Sequence, residues 1–312
     1  MRYLDAEQSG RLLDYPGLIE GLRRLHREAP GTLDDLLLAQ DSNRFFLRAA
    51  WQPDQALGAK VITIFPDNPQ RCDRPSIQAL YLLFDGRDGR PLLAIDGTLL
   101  TWRKTAADSA LGADFLACED ARTLLMVGAG AMAPELIRAH RTVRPSLSRV
   151  QIWNRTPERA RSLAEHLTEV DGLDAVAVEA LEPAVTEADL ICCATMSREP
   201  LIRGDWLRPG QHLDLVGAYT PDMREADDVA LQRGMLFVDS RQTAGETGEL
   251  AIPRAAGVID EQTLRADLFQ LCQGRHPGRS TAGQITLFKN GGGGHLDLMT
   301  ARILQQRLTT DA

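Results

Sequence analysis

The chain has little of what a disulfide framework or a metal centre requires. Its five cysteines, Cys72, Cys118, Cys192, Cys193 and Cys272, form no Cys-x-x-Cys pair, and their odd number argues against a set of structural disulfides. Cys192 and Cys193 lie in an apolar, strand-like run where a free thiol behaves as a small buried hydrophobe rather than a nucleophile. The six histidines show no HExxH-like spacing, so no protein-bound metal is expected. No apolar run approaches bilayer length and the opening Met1-Arg-Tyr-Leu-Asp-Ala-Glu lacks the apolar core of a secretory signal, which excludes a membrane-spanning helix and points to the cytoplasm. Excess positive charge is missing too: a net charge of -8 disfavours nonspecific binding to nucleic acid or anionic membrane and is compatible with a local basic pocket for a small acid. Internal repeats and low-complexity linkers are absent.

What is present suits a two-domain globular protein: 312 residues, 44% of them hydrophobic and 25% charged. Residues 1 to 113 read as a helix near Tyr15 to Arg27, then strands at Arg44 to Ala49, Ala59 to Phe65, Gln78 to Asp85 and Pro91 to Ile95. Asp85-Gly-Arg-Asp-Gly and Asp96-Gly supply the turns of hairpins. From Asp114 to Phe288 apolar runs alternate with helical pieces: Leu124 to Val127, Val150 to Trp153, Ala175 to Val178, Leu190 to Ala194, His212 to Val216 and Met235 to Val238. That alternation implies an α/β fold with a doubly wound parallel sheet of Rossmann type. A glycine bend, Gly291 to Gly294, then leads into a last amphipathic helix from His295.

The most informative stretch is Thr123-Leu-Leu-Met-Val-Gly128-Ala-Gly130-Ala131-Met132-Ala133-Pro134, an apolar strand turning through Gly-x-Gly-x-x-Ala into a helix. Gly128 permits the turn, Gly130 lets backbone approach a pyrophosphate, and Ala133 keeps helix and strand close, while free N–H groups at the helix start attract phosphate charge. Pro134 suits a first turn that needs no N–H from it. One βαβ unit on, the strand Val150 to Trp153 ends in Asn154-Arg155-Thr156, where a ribose-binding Asp or Glu is usual. A guanidinium and a hydroxyl hold a 2′-phosphate that a carboxylate would repel, so NADPH is favoured, with NADH as the alternative. The competing reading of Arg155 is a solvated loop charge.

Two cation-bearing segments stand out in the first part. Lys60 begins the otherwise apolar run Lys60-Val-Ile-Thr-Ile-Phe65 and needs a partner; Arg103 and Lys104 fall in the first turn of a close-packed helix, Leu100 to Ala113. Together they could clamp a carboxylate, and ordinary salt bridges or surface charges are the competing reading.

These segments carry a resemblance. Gly58-x-Lys60-x4-Phe65-Pro66-x-Asn68, Thr101-x-x-Lys104-Thr105-Ala-Ala-x-Ser109-Ala, Val127-Gly-Ala-Gly-x-x-Ala133, Asn154-Arg-Thr, Ala194-Thr-x-Ser197, Gly217-Ala-x-x-Pro221-Asp-x-x-Glu225, Asp239-Ser240 and Phe288-Lys-x-x-Gly-Gly follow one another in an order that resembles the ornithine cyclodeaminase/mu-crystallin family along nearly the whole chain. The resemblance implies a homodimer. It also implies a smaller α+β substrate and dimerisation domain, residues 1–113 completed by 289–312, with the NADP-binding Rossmann domain, 114–288, inserted into it and the active site in the cleft between them.

For chemistry the resemblance implies hydride exchange between a nicotinamide and the α-carbon of a small amino or imino acid. Lys60 matches the family's substrate-binding lysine. Lys104 stands where an arginine is usual, with Arg103 one residue away, so either is a candidate carboxylate ligand; Arg48 is a candidate substitute for a further arginine missing near Gly31 to Asp35. Thr195 and Ser197 match positions near the nicotinamide ribose. Asp297 matches a family aspartate near the substrate, to stabilise an iminium or supply its proton through water; capping the last helix is its competing role. The carboxylate of true cyclodeaminases falls at Tyr219, with Asp222 after the proline, which weakens the cyclisation reading. The expectation is therefore an NADPH-dependent ketimine reductase converting Δ1-pyrroline-2-carboxylate to proline, and also Δ1-piperideine-2-carboxylate to pipecolate. An alanine dehydrogenase-like enzyme, an ornithine cyclodeaminase and a non-enzymatic ligand-binding protein like mu-crystallin are the alternatives.

Overall fold

The structure, a computed structural model, describes residues 1–310. It divides into two compact units, Met1–Thr105 together with the segment from Gly293 onward, and Ala106–Gly292. The first unit opens with β1 (Arg2–Leu4), α1 (Ala6–Leu12) and α2 (Tyr15–Leu25). It continues with β2 (Thr32–Gln40), β3 (Asn43–Gln52), β4 (Ala56–Ile64), α3 (Asn68–Cys72), β5 (Ile77–Asp85), β6 (Pro91–Asp96) and the start of α4 (Gly97–Leu116). The sheet runs β1-β6-β5-β4-β3-β2, antiparallel except where β1 joins β6. Asp14 starts α2 by accepting the Gly17 N–H at 2.8 Å, and the helix buries Tyr15, Leu18, Ile19, Leu22 and Leu25 along one face.

Two features here depart from the expectation. The Asp96-Gly pair does not turn between strands: the Asp96 carboxylate accepts the Leu99 N–H at 2.8 Å and opens α4 three residues before Leu100. Arg103 and Lys104 accordingly sit in the second turn, not the first. The second unit also begins earlier than residue 114, and runs four residues past 288. Ala106, Ala107, Ala110, Leu111 and Ala113 are fully buried, and Ser109 donates to Asp214 at 3.1 Å and accepts from Asn290 at 3.1 Å, both within that unit.

The second unit comprises β7 (Thr123–Val127), α5 (Ala133–Val143), β8 (Arg149–Trp153), α6 (Pro157–Asp171), β9 (Asp174–Ala177), α7 (Leu181–Glu187), β10 (Leu190–Cys193) and β11 (His212–Leu215). After them come α8 (Asp228–Arg233), β12 (Met235–Val238), α9 (Arg241–Ala244), α10 (Gly248–Ala255), β13 (Leu264–Asp267), α11 (Leu268–Cys272) and β14 (Thr286–Lys289). The sheet is wholly parallel, in the order β13-β12-β14-β11-β10-β7-β8-β9. Strands covered on both faces carry unbroken apolar runs, as in Leu124–Val127, all fully buried. The chain leaves β7 toward β9 and returns on the other side of β7 at β10, so the order reverses between them. In open α/β sheets that reversal marks the ligand crevice, outside the carboxyl ends of the strands.

The chain returns to the first unit with α12 (Gly294–Thr310), which packs on α2 and on β3, β4 and β5. Among the described residues, no helix is long and apolar enough to cross a membrane.

Candidate active site

Antiparallel pairing sets the first cluster. Arg48 of β3, Lys60 of β4 and Tyr81 of β5 are register partners, so their side chains leave the sheet on one face. α12 covers the sheet and brings Asp297, in its first turn, onto Lys60: the ammonium lies 2.9 Å from one carboxylate oxygen and 3.0 Å from the other, and donates to Thr101 Oγ1 at 3.3 Å. Lys104 Nζ of α4 stands 3.8 Å from the same carboxylate. All three side chains are at least 95% buried.

Burial pulls the Lys60 pKa down from its usual 10.5 to about 8, with Asp297 opposing the shift and Lys104 adding to it. Burial works to raise Asp297, but Lys60 and Lys104 outweigh it and hold the carboxyl below its ordinary value. Tyr81 is pushed well above the phenol range, by burial first and then by Asp297. Two ammonium groups against one carboxylate leave a net positive charge in a buried site, which suits one further anion.

Of the other two candidate cations, Arg48 lies close enough for its charge to act on Lys60 and Asp297 but pairs with a different carboxylate, and Arg103 stacks on a ring. Arg103 stacks over the Tyr15 ring, 4.8 Å from its centroid. Arg48 shares the face of Lys60, but its Nε and Nη2 are taken up by Asp35 of β2 at 2.8–3.2 Å, and it lies over Phe46. Of the candidate carboxylate ligands Lys60 and Lys104 are the ones brought together on Asp297, while Arg103 and Arg48 are engaged with Tyr15 and Asp35. Periodicity explains the choice of Lys104 over Arg103: adjacent helical residues point about 100° apart, so only one of the pair can face α12.

In the second unit the phosphate turn has the features a dinucleotide needs. Gly128 adopts φ of 109°, the left-handed region that a side chain disfavours, and a Cβ there would meet Ala194 O at 2.6 Å. A Cβ on Gly130 would meet nothing within 4 Å, so backbone is open to an approaching group. α5 begins after Met132 with no side-chain cap; the Ala133 N–H bonds Gly130 O at 3.0 Å and Pro134 has none, so the positive end of the helix and the N–H of Glu135 remain for an anion. Ala131 is exposed and Met132 half-buried at the same turn.

At the end of β8, Asn154 accepts the Ala129 N–H at 3.1 Å and donates to Thr156 O at 2.9 Å, stitching the turn to the next loop. Thr156 precedes α6 without capping it, so its hydroxyl is not spent there. Arg155 is exposed and makes no ion pair among the described residues; the same holds for Arg159, one helical turn on, which sequence reasoning missed although the i, i+4 spacing was visible. These residues fit an adenosine ribose bearing a 2′-phosphate.

At the end of β10, Thr195 donates through both N–H and hydroxyl to Glu225 Oε1, at 2.7 and 2.8 Å. The Ser197 N–H reaches Thr195 Oγ1 at 3.3 Å and its hydroxyl donates to Glu199 O at 2.6 Å. Tyr219 is exposed, and Asp222 is engaged by Thr220 at 2.5 Å and Arg198 at 2.9 Å, so neither offers a free carboxylate for a cyclisation. A second cluster missed in sequence joins Cys192, His140 and Asp214 deep in this unit. Cys192 donates to Asp214 at 3.1 Å and His140 Nε2 lies 3.0 Å from the same oxygen. Burial, then Asp214, push the Cys192 thiol well up, so it stays protonated and its role here is a hydrogen bond.

Residues 42–311 match the model of the ornithine cyclodeaminase/mu-crystallin family. The chain belongs to this family. It is similar to the Δ1-pyrroline-2-carboxylate reductase of Paracoccus denitrificans, 44% identical over 302 residues that cover 96% of this chain and 94% of the relative. Among solved structures it resembles Thermococcus litoralis Δ1-pyrroline-2-carboxylate reductase in complex with NADH and L-proline, with a TM-score of 0.91 at 28% identity, covering 100% of this chain and 98% of that one. It also resembles the iminosuccinate reductase of Paracoccus denitrificans in complex with NAD+, with a TM-score of 0.90 at 26% identity, covering 99% and 96%.

Proposed function

We propose that the protein is an NADPH-dependent oxidoreductase of cyclic ketimine carboxylates, reducing Δ1-pyrroline-2-carboxylate to proline and its six-membered homologue, Δ1-piperideine-2-carboxylate, to pipecolate. The observation that carries this is the buried Lys60–Asp297–Lys104 cluster with its one uncompensated positive charge. The two ammonium groups neutralise the substrate carboxylate and fix the ring beside it. Lys60, with a pKa of about 8, is protonated at neutral pH and is the acid that gives a proton to the imine nitrogen. Asp297 orients Lys60 and balances the positive charge that grows on the iminium; held ionised, it has no proton of its own to give. When bound, the coenzyme supplies the hydride that the imine carbon receives. Gly128, Gly130, Ala131 and Met132 line its pyrophosphate, Asn154, Arg155 and Thr156 its adenosine end, and Thr195 and Ser197 its nicotinamide end.

The test is a substrate panel with NADPH and NADH: cyclic five- and six-membered imines, pyruvate with ammonia, and ornithine. Fastest NADPH oxidation with the cyclic imines is expected. Faster oxidation with pyruvate and ammonia, or ammonia release from ornithine without net coenzyme oxidation, overturns the reading.

The same proposal includes a cytoplasmic homodimer. β2 ends its sheet, and Leu36, Leu37 and Leu38 are each about half exposed although they alternate between its faces. An apolar edge of this kind is a hazard alone and an interface when a second copy covers it. Light scattering should give about twice the 34.3 kDa chain mass, and Leu37→Glu should halve it.

A further inference from the structure

Glu225 is fully buried, lies in the stretch between β11 and α8, and is not expected to touch any substrate. Its carboxylate nevertheless gathers three donors from two other places: the N–H and hydroxyl of Thr195 after β10, and at 2.6 Å the N–H of Gly217 after β11. Its own carbonyl accepts the N–H groups of Leu201 and Ile202, both at 2.9 Å, and Arg224 N donates to Ser197 O. Glu249 of α10 holds the segment from behind, accepting the N–H groups of Glu225 and Ala226 at 2.7 and 3.0 Å. Lys289 of β14, also fully buried, donates to Leu215 O and lies within electrostatic reach of both acids.

The two loop ends joined in this way approach so closely that a Cβ on Gly217 would collide with the backbone N and O of Thr195, while Thr195 Cγ2 would lie 3.3 Å from a Cβ on Gly128. Thr195, Gly217 and Gly128 therefore form one contiguous floor at the carboxyl ends of β10, β11 and β7. This floor lies on the β10 side of the sheet reversal. The 2′-phosphate group, Asn154 to Thr156, lies on the β8 side, so the floor takes the nicotinamide half of a dinucleotide.

We propose that Glu225 is a positioning residue for the nicotinamide half of the coenzyme, a buried carboxylate that locks Thr195 and Gly217 into one floor, with Glu249 and Lys289 holding it in turn. This rests on the coenzyme reading of the turn at Gly128. Burial, the largest influence, raises the Glu225 pKa to about 7, with Glu249 adding to it and Lys289 and the Thr195 bonds opposing. The groups facing it are Glu249, Lys289 and the thiols of Cys192 and Cys193. Protonation removes an acceptor, so the lock loosens as pH falls through about 7.

Glu225→Gln keeps the volume and one acceptor but turns an N–H toward the Gly217 N–H. The expected result is a rise of about tenfold in KM for NADPH and NADH alike, a lower kcat, and an unchanged KM for the imine at saturating coenzyme. Equal loss for both coenzymes separates this floor from the 2′-phosphate site. Coenzyme affinity of the wild type should also weaken below about pH 7 and that dependence should flatten in the variant. NADPH binding is measured directly by fluorescence titration, independent of any imine. A wild type that does not bind NADPH removes the coenzyme reading itself. A wild type that binds NADPH, beside a folded Glu225→Gln with unchanged coenzyme affinity and pH profile, overturns the role of Glu225 alone. If Glu225→Gln does not fold, Thr195→Val decides: weaker binding of both coenzymes, restored in Thr195→Ser, supports the lock, and unchanged binding overturns it.

Discussion

Two buried clusters are built around opposite charges. In the first unit Lys60 and Lys104 face one carboxylate, Asp297; in the second, Glu225 and Glu249 lie within electrostatic reach of Lys289, with Arg224 acting on Glu249 as well. The charge is met differently. The acidic cluster is answered from within the protein, by four backbone N–H groups and the Thr195 hydroxyl. Around the basic cluster the hydroxyl of Thr101 is the one further acceptor bonded to Lys60 among the described residues. A buried charge answered by fixed backbone is part of the scaffold, whereas one left over at the end of the accounting belongs to something that arrives from outside.

That contrast can be broken by substitution. The largest effect is expected from Asp297→Asn, which leaves two buried ammonium groups without an anion. A loss of about 3–5 kcal/mol in stability, read as a melting temperature lowered by on the order of 10 °C, should be relieved by adding an anionic substrate analogue. Next, Lys60→Ala should lower kcat/KM for the imine by about 10²–10³-fold while leaving NADPH binding intact, since it removes charge stabilisation and the proton donor together. Arg155→Ala should raise KM for NADPH by about tenfold and leave NADH unaffected, consistent with loss of one charge-assisted contact. Loss for both coenzymes would remove the argument for a phosphate site.

The smallest effect sharpens the comparison through pH. Lys60 is lowered in the folded protein, so between about 8 and 10.5 the unfolded chain binds more protons than the folded one and this group's contribution makes stability rise with pH. Activity should move the other way, with kcat/KM falling above about pH 8 as the acid is lost. Glu225, raised to about 7 from its usual 4.5, has the opposite sign: its contribution to stability falls as pH climbs from about 4.5 to 7 and is level beyond. Paired melting and rate profiles, with Lys60→Ala and Glu225→Gln as controls, test both slopes.

The parallel strands and the glycine turn were legible because fully covered strands cannot avoid unbroken apolar runs and because a left-handed bend selects glycine at 128. β2 was not legible: Asp34 and Asp35 interrupt its pattern, and Asp35 is there to pair with Arg48 across the strands. β13 was missed because Arg265 and Asp267 break its apolar run, and the placing of β14 between β11 and β12 has no local signal. Of the site, Lys60 announced itself as a cation in an apolar strand. Its distance from Asp297, 237 residues along the chain, is a product of packing that no spacing encodes. The choice of Lys104 over Arg103 depended on where α4 starts, and the Asp96 carboxylate sets that. Glu225 was visible only as one letter of a motif, because its bonds run to backbone.

The stitch made by Asn154 has a practical bearing on any attempt to redesign cofactor choice. Conventional engineering toward NADH would install an acid at the end of β8, yet an Asp at 154 would set a carboxylate oxygen against the Thr156 carbonyl, where an amide now donates at 2.9 Å. Such a swap would spoil the loop's architecture for either dinucleotide. Selectivity in this scaffold is better rewritten at positions 155, 156 and 159, leaving the amide as the hinge pin of the loop.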